Sequence, residues 1–215
     1  MAKRAQGTSA GLTRERIAGA AVALVDRDGL ERFGVRRLAD ELGVDPMSIY
    51  NHIKGKAGLL DAVSEAVLAE MSAEADEAPD TWEEIARWTA HRYRTIAYRH
   101  PHVVPLLATR PQISPPALAA LERLVIAMRA DGLPDRVISD TPMILFGFLN
   151  GYLLAVLSGG NDATATVPAI DPELYPALAA HAPEMADFGS VTEFDRTFDT
   201  ILGGIRERAA GLGRP

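Results

Sequence analysis

The segment from Val35 to Lys56 constrains the fold most, because it places two short apolar-faced stretches on either side of a three-residue break, Gly43-Val44-Asp45. Leu38, Ala39 and Leu42 recur at helical spacing and make one inner face; Ala39 is small where a second helix crosses closely. Gly43 stands where the first helix must stop and the chain turn, a position that favours positive φ. Asp45 suits the cap of the next helix and Pro46 its first turn. Ile49 and Ile53 then face inward, four residues apart. This predicts one helix over 35–42 and a second over 46–53, set as a helix-turn-helix.

The outward face of the second helix carries Met47, Ser48, Tyr50, Asn51 and His52. In a helix-turn-helix that face enters the major groove of double-stranded DNA. Asn51 has the paired donor and acceptor that read a base edge. Ser48, Tyr50 and His52 reach bases or phosphates, and Met47 suits a thymine methyl. Arg36 before this face, and Lys54 and Lys56 after it, are placed to clamp the phosphate backbone. A plain helical hairpin in which Gly43 is only a C-cap is the alternative at this point.

Net charge bears on the choice. The chain is acidic overall, with 22 Lys+Arg against 29 Asp+Glu in 215 residues. Residues 1–60 nevertheless hold ten basic and seven acidic groups, a balance of +3, which leaves −10 for the remainder. Such asymmetry fits a basic binding module on an acidic body.

Helical periodicity continues along the chain. Thr13 caps a helix that Gly29 ends. A fourth helix runs over 56–72, others over 81–99 and 118–130, and a long apolar one over 134–157. A short helix is expected near 172–181 and a last one over 191–210. Pro115 and Pro116 read as a turn, and 158–171 as a loop rich in Gly, Ala and Thr. No stretch alternates like a strand. The expected class is all-α: a flexible tail over 1–12, a three-helix DNA-binding domain over 13–60, and a C-terminal helical domain over 61–211. No apolar run is read as spanning a bilayer. The absence of cysteine excludes disulfides and thiolate chemistry. No cofactor, metal or membrane is expected, and a cytoplasmic location is the default. Neither a metal-spaced His/Glu cluster nor a nucleophile elbow is present, so an all-α enzyme has no support. A protein-interaction module remains a rival that the intact outward face argues against.

The run Leu38-Ala39-Asp40-Glu41-Leu42-Gly43-Val44, followed by Ile49-Tyr50-Asn51-His52-Ile53-Lys54-Gly55-Lys56 and Leu59-Leu60-Asp61-Ala62, resembles the TetR family of bacterial transcriptional repressors. The Tyr50-x-His52-x-x-x-Lys56 spacing is specific to it, although Ile53 and Lys54 replace the more usual Phe and Pro or Gly. Thr109-Arg110-Pro111 and Phe146-x-x-x-Asn150-Gly151-Tyr152 are similar to the tetracycline-repressor branch. The resemblance implies a homodimer, joined through helices 134–157 and 191–210, that binds a palindromic operator and leaves it when a small-molecule effector binds. That branch holds its magnesium–drug complex partly with a His ahead of the Thr-Arg-Pro run. Leu106 stands there, which speaks against metal-assisted tetracycline recognition. The expected effector residues are Asn150 first, then Trp88, His91, Arg92, Arg110, Phe146 and Tyr152. His100 and His102 read as surface or helix-end histidines.

Overall fold

The structure is a computed structural model and describes residues 11–72, 79–111, 113–157 and 170–212. Ten α-helices make up these residues, with three short 3-10 turns and no strand among them. The expected all-α class therefore holds. Most of the tail over 1–12, the acidic junction after Ser72 and most of the 158–171 loop lie outside the described residues. The helices are α1 (Arg14–Asp28), α2 (Val35–Leu42), α3 (Pro46–Tyr50), α4 (Gly55–Ser72), α5 (Trp82–Arg99), α6 (Val104–Thr109), α7 (Pro115–Ala130), α8 (Asp135–Leu157), α9 (Pro176–His181) and α10 (Val191–Leu212).

The chain divides into two compact units. One comprises residues 1–77 and 95–120, the other 78–94 and 121–215. The boundary expected between residues 60 and 61 falls inside α4, a single helix that packs along α1.

In the first unit, the Thr13 hydroxyl accepts the Arg16 N–H at 3.2 Å and starts α1. Ile17, Ala21, Leu24 and Val25 are buried along one face, against Leu59, Val63 and Val67 of α4 and Leu38 of α2. Each large apolar side chain withdrawn from water contributes about 1.5–3 kcal/mol. Phe33, between α1 and α2, joins this core. His100 is the helix-end histidine of the two: it follows the last residue of α5 and is buried, with Nδ1 2.7 Å from Asp26 of α1 and Nε2 3.2 Å from Glu70 of α4. His102 is exposed, as expected, with Nδ1 3.0 Å from the Asp26 carbonyl oxygen.

The second unit is built on α8 and α10. Phe194, Phe198, Leu202 and Ile205 of α10 are buried with Leu145, Leu149 and Leu153 of α8. The Phe194 and Phe198 rings stack at 5.9 Å, and Phe148 lies against both. Pro142 sits inside α8, where its missing N–H leaves one carbonyl without a helical donor.

Several boundaries differ from the sequence reading. Pro115 and Pro116 form the first turn of α7, where no backbone donor is needed. The short helix starts at Pro176, later than expected, and α10 runs on to Leu212. By length and composition α8 is long and apolar enough to cross a membrane; among the described residues it is the one such helix, and a third of its apolar window is buried.

Candidate nucleic-acid interface and effector region

The candidate reading head is held from below. Gly43 ends α2 in the left-handed region at φ 66°, with its N–H turned back to carbonyls of Ala39 and Asp40. After one residue, the Asp45 carboxylate accepts the Met47 N–H at 2.8 Å and starts α3. Leu38, Ala39, Ile49 and Ile53 are all buried, pinning α3 against α2 and the rest of the unit. Helix α3 is shorter than the expected 46–53. The Ile49 carbonyl accepts from both His52 N and Ile53 N at 3.0 Å, the tightening that ends a helix, and 51–53 form a turn. Ile53 still reaches the core from that turn.

The outward positions are open to solvent. Met47 is 65% exposed, one of several large apolar side chains open to water among the described residues. Asn51 and His52 are exposed on the turn that follows α3, and Ser48 and Tyr50 are half-buried on α3 itself. Arg36, Lys54 and Lys56 are exposed at the two ends of the segment. The neighbouring Arg37 is engaged elsewhere: it donates to Asp28 at 2.7 Å and to the Arg32 carbonyl at 3.3 Å. Arg27 of α1 donates to Glu41 of α2 at 2.9 Å. Hydrogen bonds from Arg27 hold the Asp28 and Glu41 carboxyls below the usual carboxylate range. These acids thus brace α1 to α2 rather than meet phosphates.

The effector candidates do not form one cluster. Arg110 lies in the first unit, where its Nε donates to Asp61 of α4 at 2.6 Å and its Nη2 to the Ala57 carbonyl at 3.1 Å. Leu106 is buried in α6 of the same unit. The other six candidates lie in the second unit. There the Tyr93 hydroxyl donates to Asn150 Oδ1 at 2.7 Å, with the Phe146 ring edge-on to Tyr93 at 6.2 Å. Burial pushes the Tyr93 phenol well above its ordinary value, so it stays a neutral donor. The Arg92 guanidinium lies over Trp88 at 4.6 Å, and Arg123 approaches the same ring at 5.5 Å. His91 pairs with Asp195 at 2.8 Å and stands edge-on to Phe194. Tyr152 is buried in the α8–α10 aromatic core, its hydroxyl donating to Glu193 at 2.5 Å. Sequence reading missed Tyr93, Arg123 and Glu193, whose partners lie 41 to 57 residues away or are ring faces. Among the described residues no group of three or more His, Cys, Asp or Glu is placed to hold a metal ion.

Comparison with known proteins matches both parts of the chain. A family profile described as bacterial regulatory proteins, tetR family, matches residues 17–63, and one described as tetracyclin repressor-like, C-terminal domain, matches residues 75–209. The chain is similar to the HTH-type transcriptional repressor DrrR1 of Streptomyces coeruleorubidus, at 30% identity over 96% of this chain and 79% of that one. It is also similar to an HTH-type transcriptional regulator of Saccharopolyspora erythraea, at 31% identity over 92% and 86%. Among solved structures, apo ActR from Streptomyces coelicolor superposes with a TM-score of 0.81 at 25% identity, covering 96% of this chain and all of that one. ActR in complex with actinorhodin gives 0.79 at 25% identity, over 93% and 98%.

Proposed function

The chain belongs to the TetR family of bacterial transcriptional regulators, and on that premise we propose that it is a cytoplasmic repressor that binds a palindromic operator as a homodimer and leaves it when a small molecule occupies its C-terminal domain. It is a regulator and not an enzyme, as its relatives are. The observation that carries the proposal is the outward face of residues 47–52, polar apart from an exposed Met47, on a segment whose inner residues Leu38, Ala39, Ile49 and Ile53 are buried and Leu42 partly so. A side chain as apolar as Met47 is kept in water at a cost, and a thymine methyl in the groove offsets it.

A dimer is supported by the second unit. Met143 of α8 is 78% exposed, Ile144 beside it is also exposed, and Gly203 and Gly204 of α10 leave open space above them. Such faces suit the close approach of a second copy. Two reading heads about 34–36 Å apart then enter successive major grooves. Effector control is supported by ActR, whose structure has been solved with actinorhodin. In this chain Asn150 with Tyr93, and Trp88 with Arg92, supply polar and aromatic groups of the kind such a site uses. An effector that prefers the non-DNA shape weakens operator binding by its differential affinity.

A gel shift against the DNA upstream of the chain's own gene tests the reading. A shift that Asn51→Ala weakens by about 1–3 kcal/mol, with relaxed preference at one base position, is the expected result. No shift at low salt would sink it.

A further inference from the structure

We propose that the first unit carries a small-molecule site of its own, between α1 and α4, that takes an uncharged, slender hydrophobic molecule bearing one hydrogen-bonding oxygen. The site is distinct from the six effector candidates of the second unit; Arg110, the remaining candidate, lines only the adjoining cavity.

A cavity of about 540 Å³ opens between these helices and is closed off by the start of α7, all within the first unit. That volume is in the range of small-molecule pockets, about 300–1,000 Å³. Ala18 and Val22 of α1 face Ala62 and Ala66 of α4 across it. Short side chains at these four places leave room where a helix pair of this length normally interdigitates.

Ser114 supplies the second observation. It lines the cavity, is 6% exposed, and its Oγ has no hydrogen-bond partner. Buried hydroxyls are almost always paired, and an unpaired one lowers stability. A ligand oxygen in the cavity meets that need. Ser114 also lines an adjoining cavity of about 330 Å³, so the hydroxyl stands where the two meet.

The rim decides the charge of the ligand. Arg14 and Glu65 pair across it at 2.8 Å. Glu70 is met by Arg99 at 2.6 Å and by His100. Glu15, the fourth ionisable residue of the lining, is exposed to water. Arg14, Glu65 and Glu70 already have partners of opposite sign, so a charged ligand seated among them would have to break a pair. A neutral molecule does not, and the apolar walls favour it.

The test uses the full chain and the probe 6-propionyl-2-dimethylaminonaphthalene, which is neutral, flat, carries one carbonyl and brightens in apolar surroundings. The wild type is expected to bind it with a blue-shifted emission. Ala66→Leu fills the cavity and abolishes that signal. Ser114→Ala weakens binding several-fold yet leaves the melting temperature unchanged or raised, because its hydroxyl has no partner to lose. Asn150→Ala binds as the wild type does, which separates this site from the effector region. Failure of the wild type to bind overturns the proposal. So does a folded Ala66→Leu variant that binds normally, or a Ser114→Ala variant that binds normally. Operator binding measured without the probe is independent of all these outcomes, so failure here leaves the repressor reading intact.

Discussion

Gly43 and Asp45 divide the work of one sharp turn, and each does it by a different means. Gly43 takes φ 66°, and a Cβ there would meet nothing within 4 Å. The cost of Gly43→Ala is therefore backbone strain alone, roughly 1–2 kcal/mol. Asp45 acts through its carboxylate, and Asp45→Ala is expected to cost about 1 kcal/mol as a lost N-cap. Urea denaturation followed by circular dichroism measures both. Asn51→Ala is expected to leave the same curve unmoved while operator binding falls. Gly43 and Asp45 were legible because their chemistry is local: a turn glycine and a cap act within four positions of themselves. Tyr93 was not legible, since what marks it is a hydrogen bond to Asn150, 57 residues away. The Tyr93→Phe variant should loosen Asn150 and change effector response without touching the reading head, a contrast that titration of an effector against operator release would read out. Arg110 is held against α4 by its bonds to Asp61 and Ala57, a place that composition does not reveal.

Helix ends were where sequence and structure parted. The Ile49 and Ile53 spacing suggested a helix to 53, but a buried side chain can reach the core from a turn as well as from a helix, so periodicity did not see α3 stop at Tyr50. Pro115 and Pro116 suggested a turn because proline is hostile to helix interiors, whereas the first helical turn tolerates it. At this scale the brace between α1 and α2 makes a pH prediction. Arg27 holds Asp28 and Glu41 below the usual carboxylate range in the folded chain. A lowered folded value means stability that is present in full above that range and lost as the pH falls through it towards the lowered values. Arg27 and Glu41 are exposed enough for salt to screen their pair, whereas Asp28 is more buried and screened less. Arg27→Gln is therefore expected to lower the melting temperature near neutral pH and at low salt. The difference from the wild type should shrink in acid. An equal difference at every pH would mean that Arg27 acts through packing instead.

For the whole molecule, the all-α class followed from periodicity along the chain and the family mainly from its first sixty residues, while the grouping of residues 95–120 with the first unit has no local signature. Residues 95–120 join the first unit through contacts that span most of its sequence, such as His100 with Asp26, and no local pattern announces those. The proposed dimer belongs to this scale as well. Met143→Glu places a charge on the exposed face of α8 and is expected to yield monomers in sedimentation experiments, with operator binding lost although each reading head stays folded. Helix α3 has a further bearing on how such a protein changes. Five residues are far too few to form a helix alone, so its shape is borrowed entirely from the core beneath it. The solvent-facing positions contribute almost nothing to that core. Under the proposed function, specificity is expected to be rewritable at Met47, Asn51 and His52 as one changes type in a printing block, with no loss of stability. By the same token, damage in the core beneath will masquerade as a change of taste for DNA.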